Sequence, residues 1–202
     1  SGRKLTPLSK DVFKSFEYTD VNNIKVVWIL QSPYPHLYKD GSRQATGIPM
    51  DCSYSKDGKI QPSLEKFYEA IQNVYKKEVE RSISLKYLLD QGVFLLNSDL
   101  TCEVKKPDSH EGLWQPFMKK LFEDILFYNN GLIYIFSGKS SKRLEKFVNP
   151  LGNYLFYTEH PAAASYQERE WNHENIFLSI DKLVKSNYNT EIIWNTAEIA
   201  PF

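Results

Sequence analysis

The sequence predicts an α/β protein: three layers, α/β/α, around a central, mostly parallel four-stranded sheet. Three observations carry that expectation. Four apolar runs of strand length occur, at Val26–Leu30, Val93–Leu96, Leu132–Phe136 and Tyr154–Thr158, and each is followed by polar or small residues. Between them lie stretches whose apolar residues recur at three- and four-residue spacing, the signature of amphipathic helices. Strand and helix therefore alternate, which implies parallel pairing with helices on both faces.

The elements follow in order. Residues 1–22 are polar with scattered aromatics (Phe13, Phe16, Tyr18) and predict an ill-defined N-terminal cap; Ser1-Gly2 reads as an expression remnant. The first strand is predicted over 24–30. A loop from Gln31 to about Gln61 contains Pro33, Pro35, Gly41, Gly47, Pro49 and Gly58. Loops of that length in compact domains usually carry function. Pro62-Ser63 opens a helix with an apolar stripe of Leu64, Phe67, Tyr68, Ile71, Val74 and Tyr75. A short helix over 84–91 is stopped by Gly92, suited to a left-handed cap. Strand two is Val93–Asn97, and a helix over 114–128 ends at Asn129-Asn130-Gly131. Strand three covers 132–136, a helix about 140–147, and strand four is Tyr154–Thr158. A last helix is expected over 172–185, with an edge segment at 192–194. Neither repeats nor a Gly/Ser/Pro-rich linker divide the chain, so 1–202 reads as a single domain.

Composition narrows the function classes. Of 202 residues, 42% are hydrophobic and 25% charged, ordinary for a globular protein, and the formal net charge is zero. A global nucleic-acid footprint is therefore absent, although Lys139, Lys142, Arg143 and Lys146 cluster locally. Two cysteines, Cys52 and Cys102, cannot build a four-thiolate metal site and read as free thiols. No metal and no cofactor are expected. Without a run of about 18 apolar residues, the expectation is a soluble intracellular protein, cytoplasmic or nuclear, monomeric and without a membrane partner.

Chemistry is sought at the strand ends, because ligands of open parallel sheets lie beyond the carboxyl ends of the strands. Those ends deliver Gln31-Ser32, Asn97, Ser137-Gly138-Lys139 and His160 to one crevice. Gly138-Lys139-Ser140 is not a nucleotide-binding loop, since position 133 is Ile where the loop's first Gly belongs; the turn still leads into a helix start suited to one phosphate. The nucleophile elbow G-x-S-x-G of Ser–His hydrolases is absent. His110 is expected to order its own loop through backbone hydrogen bonds, His36 and His173 carry no signal, and Trp114, Trp171 and Trp194 read as core or capping aromatics.

The motifs taken together resemble the uracil-DNA glycosylase superfamily, nearest its family 1 pattern. Gln31-Ser32-Pro33-Tyr34-Pro35 with Gln44-Ala45-Thr46-Gly47-Ile48-Pro49-Met50 is similar to that family's G-Q-D-P-Y-H…Q-A-H-G-L-x-F loop. Pro62-Ser63-Leu64 matches its Pro-rich DNA-contact loop, and 91–101 its Q-G-V-L-L-L-N-x-x-L-T strand. Ser109-His110-Glu111-Gly112, His160-Pro161-Ala162-Ala163-Ala164-Ser165 and Ile193-Trp194 follow in order.

The resemblance implies a DNA partner and excision of a flipped uracil or modified pyrimidine by hydrolysis of its N-glycosidic bond. It implies catalytic roles for His160, donor to the uracil O2, and for Ser32, which holds the water. Gln31, Tyr34, Met50 and Asn97 would bind the base. Asn97 would read N3–H and O4 if its amide is locked in one orientation, and Tyr34 would exclude a C5 methyl. Ser63, Gly138, Lys139 and Ser165 would grip phosphates. Four residues depart from the pattern: Ser32 stands for the catalytic Asp, Met50 for a stacking Phe, Ala164 for the Leu that fills the vacated stack, and Pro35 for a His. Asp51, Asp99 or Glu159 is the expected source of a substitute carboxylate. The alternative is a homologue that has lost catalysis and acts as a DNA-binding or protein-interaction module.

Overall fold

The computed structural model describes residues 4–199; Ser1-Gly2 lies outside them. Its centre is a parallel sheet of β2 (Val26–Leu30), β3 (Val93–Asn97), β5 (Ile133–Ser137) and β6 (Tyr154–Thr158), in the order β3-β2-β5-β6. Val26 pairs with Val93 on one side and Ile133 on the other, and Ile133 with Tyr154, so the four carboxyl ends fall level. The first three of these strands are buried along their whole length, as apolar runs require; β6 is the half-exposed edge.

Alternation in the strands assigns the layers. Trp28 faces α2 (Pro62–Tyr75) and α7 (Ile176–Tyr188), packing on Phe67 at 5.7 Å and Phe177 at 6.0 Å. The opposite face receives Tyr134, against Phe122 of α4 (Gln115–Tyr128), and Phe94, against Phe16 at 5.1 Å. This is the expected three-layer arrangement. α3 (Lys86–Asp90), α5 (Lys139–Lys142) and α6 (Pro161–Tyr166) are short. No helix among the described residues is long and apolar enough to cross a membrane.

Four expectations need correction. Residues 4–22 are not ill-defined: β1 (Leu5–Thr6) pairs with β4 (Cys102–Glu103), and α1 (Lys14–Glu17) sits in an aromatic cluster with Phe94, Trp114 and Phe117. The helix expected over 140–147 breaks into α5 and a 3-10 turn at Glu145–Phe147. α6 was not expected at all. Residues 192–194 form no strand, because side chains satisfy their backbone. The Gln91 amide bonds both the N–H (2.7 Å) and the C=O (3.0 Å) of Ile193, and Tyr87 Oη donates to the Trp194 carbonyl.

Candidate active site

β2 leads to β3 on one side of the sheet, whereas β5 leads to β6 on the other. The loops leaving β2 and β5 thus part company, and such a switch point opens a crevice beyond the strands. A cavity of about 320 Å³ lies there. Gly138, just after β5, lets its walls close: a Cβ at this position would lie 3.0 Å from Gln31 Nε2 and 3.2 Å from His160 Cβ, at a φ of +89°. Eight of the ten predicted site residues border the cavity: Gln31, Ser32, Tyr34, Met50, Ser63, Asn97, His160 and Ser165. Gly138 stands against Gln31 and His160, and Lys139 next to it is exposed; neither lines the cavity.

His160 follows β6 by two residues and caps α6. Its Nδ1 accepts the Ala162 N–H at 3.2 Å. An acceptor nitrogen carries no proton, so the remaining proton of a neutral ring sits on Nε2. Burial lowers the imidazole pKa to about 4, which keeps the ring neutral at physiological pH. Beneath it, Trp28 Nε1 donates to Ser137 Oγ (2.9 Å), which bonds Thr158 Oγ1 (2.8 Å), tying β2, β5 and β6 just below their ends.

The depressed pKa makes a testable statement about stability. Between pH 6.5 and about 4 the unfolded chain takes up a proton at His160 that the folded chain refuses. This contribution is present above pH 6.5 and is lost as pH falls, amounting to about 2 kcal/mol between pH 7 and 5. Urea unfolding at both pH values should show a His160→Asn variant losing that much less stability than the parent on acidification.

Asn97 closes β3 and is only 5% exposed, yet its carboxamide makes no hydrogen bond among the described residues. A buried, unpartnered amide facing a cavity is available to a ligand. The lock expected to fix its orientation is not found. Tyr34 is held instead: its hydroxyl bonds Ser63 Oγ at 2.6 Å and donates to the Met50 carbonyl at 3.2 Å. Burial pushes this phenol well above its ordinary pKa, so it stays neutral. Ser63 is buried, and its hydroxyl supports Tyr34. Met50 lies in the cavity wall in a left-handed conformation, φ +61°.

Ser32 Oγ accepts the backbone N–H of Asp108 at 3.2 Å. The three carboxylates expected as substitutes are all engaged elsewhere. Asp51 caps Leu85 and Ser53, Asp99 pairs with Arg143 and caps Gly112, and Glu159 pairs with Arg169 and accepts from Asn172. None of them borders the cavity. His110 holds its loop through the backbone, its carbonyl accepting the Leu113 N–H at 2.9 Å, and also through the Thr101 side chain at 2.8 Å.

Residues that sequence reasoning missed also border the cavity, among them His36, Asp108 and Tyr166. Tyr166 is 86% exposed at the cavity mouth, while Ala164 is wholly buried against the core and cannot reach a DNA stack. An aromatic followed by the polar run Gln167–Glu170 was the available signal for an exposed ring. No group of three or more His, Cys, Asp or Glu suited to a metal comes together among the described residues, and both cysteines are free and buried.

Comparison with known proteins places the chain in a family. No protein-family model matches the chain. The uracil-DNA glycosylase of Buchnera aphidicola subsp. Acyrthosiphon pisum is 35% identical over 161 residues, 79% of this chain and 70% of that protein. That of Francisella tularensis subsp. novicida is 30% identical over 205 residues, 96% of this chain and 86% of the relative. The crystal structure of mimivirus uracil-DNA glycosylase superposes with a TM-score of 0.84 at 22% identity, over 95% of this chain and 75% of that one. With identity of this order extending over most of both partners, the chain belongs to the uracil-DNA glycosylase family.

Proposed function

We propose that the protein binds DNA and hydrolyses the N-glycosidic bond of an extruded uracil, releasing the base and leaving an abasic site. One observation carries this reading: a neutral imidazole with its proton on Nε2 and an unpartnered carboxamide border one cavity. As the C1′–N bond breaks, negative charge gathers on a ring carbonyl oxygen and positive charge on the sugar. His160 Nε2–H donates to that oxygen, in a site where a placed donor acts most strongly. Asn97 pairs with the base edge, and Tyr34, fixed by Ser63 and Met50, bars a ring carrying a C5 methyl.

Ser32 stands where the family pattern places an Asp. Its Oγ spends one lone pair on Asp108 and keeps another for a water. Ser63, Gly138, exposed Lys139 and Ser165 at the cavity edge are the phosphate contacts. We read residues 1–202 as one domain that acts as a monomer inside the cell. A neutral imidazole and an unpartnered carboxamide lining one cavity favour an enzyme over a module that merely binds.

Tyr166 takes the place that Ala164 vacates, its ring entering the stack where the uracil has left. Enzymes that flip a base often insert a side chain into the gap, and base–aromatic stacking is worth about 1–3 kcal/mol. Single-turnover assays on uracil-containing single- and double-stranded oligonucleotides test both statements. Abasic sites should appear with each substrate. Tyr166→Ala should slow excision from the duplex about tenfold, or somewhat more, and leave single strands nearly unaffected. Intact uracil in both substrates after prolonged incubation would overturn the assignment.

A further inference from the structure

Asp108 is the only carboxylate bordering the cavity among the described residues, and no Lys or Arg borders it. Its loop is docked on the 31–35 segment by three bonds. Lys105 N–H donates to the Pro35 carbonyl at 2.7 Å, Cys102 Sγ to that of Pro33 at 3.5 Å, and Asp108 N–H to Ser32 Oγ at 3.2 Å. The far side is held too: Glu103 N–H donates to Ser109 Oγ at 2.7 Å and Gly112 N–H to Asp99 Oδ1 at 3.0 Å. Asp108 sits at φ +56°, a left-handed conformation that Asp and Asn tolerate better than most residues. Its carboxylate makes no ion pair and no hydrogen bond among the described residues. Asp51, Asp99 and Glu159 are all spoken for, so exposed Asp108 is the acidic residue at the cavity whose carboxylate is uncommitted, and its backbone N–H bonds the hydroxyl that replaces the family's carboxylate.

We propose that Asp108 supplies the catalytic anion that position 32 lacks, a proposal that rests on the glycosylase reading above. The C1′–N bond breaks and both its electrons leave with the uracil ring, whose carbonyl oxygen is held by His160. The Asp108 carboxylate faces the cationic sugar. A water held by Ser32 Oγ adds its oxygen to C1′, and the proton it loses passes to Asp108 and on to solvent. The uracil anion then takes one proton from water, so the sum is one water consumed, one base freed and one abasic site. The charge thus sits in the loop after β4 rather than the β2 loop, on the residue whose backbone N–H bonds that hydroxyl.

Asp108→Asn isolates the charge, since Asn accepts the same backbone conformation and keeps the N–H donated to Ser32. Single-turnover excision from a uracil-containing single strand should fall about 100-fold, with the half-saturating protein concentration unchanged. Adding Ser32→Asp to Asp108→Asn returns a carboxylate to the cavity and should recover at least about tenfold of that loss. An Asp108→Asn rate within twofold of the parent would overturn the proposal. So would a double variant that binds DNA and stays as slow as the single one. If Asp108→Asn also weakens binding or folding, recovery in the double variant decides the matter. Excision by the parent that survives Asp108→Asn sinks this inference alone; a parent protein that excises nothing sinks the glycosylase reading first.

Discussion

His160→Asn is expected to lower the single-turnover rate of uracil excision by about 10²–10³, equivalent to 2.7–4 kcal/mol of lost transition-state stabilisation. Two duties meet in this ring. Nε2 is the donor for the developing oxyanion, while Nδ1 caps α6 through the Ala162 N–H. Asn is among the best N-cap residues, so it preserves the second duty, but its shorter side chain withdraws the donor from the cavity. His160→Ala removes both and should add about 1 kcal/mol of lost stability to the same loss of rate. The pair therefore separates chemistry from folding. Equal rates for His160→Asn and the parent would show that the imidazole does not carry the electrostatic burden. Because burial already holds the ring neutral to about pH 4, the parent's rate should show no loss from imidazole protonation between pH 8 and 6.

The sheet was legible in the chain because three of its strands are buried on both faces and therefore almost uniformly apolar, while the half-exposed edge strand is still rich in aromatic and aliphatic residues. Val93–Asn97 and Tyr154–Thr158 begin and end where their side chains change character. The level carboxyl ends of four such strands also made the crevice foreseeable, with Gln31, Asn97 and His160 on its rim. α6 was missed although its signals were present. Pro161 occupies the first helical turn and His160 the cap, but Ala-Ala-Ala-Ser behind a Pro also reads as a loop. That mistake concealed Ala164, which a helix turns inward, and Tyr166, which it turns outward.

Other features could not be read locally because tertiary contacts create them. The segment at 192–194 has strand-like residues, but Gln91 and Tyr87 take its backbone bonds and Trp194 packs on Phe177 at 5.0 Å. The N-terminal segment is ordered by rings that come from two other parts of the chain, β3 and the start of α4. Asp108 reaches the cavity only because a loop docks on another loop 76 residues away in sequence. Choosing Asp51, Asp99 or Glu159 from position alone ignored a competing demand. Each of them satisfies backbone N–H groups or an Arg that would otherwise be left without a partner.

Trp28→Ala is expected to cost about 3–5 kcal/mol of folding stability, the range for removing a large aromatic from a packed interior. Trp28 is fully buried at the centre of β2, among Phe67, Trp171, Phe177 and Trp194. Those neighbours come from α2, α7 and the two segments flanking α7, so no single element can collapse into the void. Against a typical total of 5–15 kcal/mol this is a large fraction, and for a chain of this length Tm should drop by roughly 6–20 °C. The indole also donates to Ser137 Oγ, the hydroxyl that links β5 to Thr158, two residues before His160. Trp28→Phe keeps most of the packing but leaves Ser137 with Thr158 alone, and should cost about 1–2 kcal/mol. A purely space-filling indole would give Trp28→Phe variants that excise uracil at the parental rate well below their Tm. If the hydrogen-bonded chain through Ser137 and Thr158 holds the His160 ring in place, those variants should instead be slower while fully folded. Urea unfolding and single-turnover excision on one preparation distinguish the two.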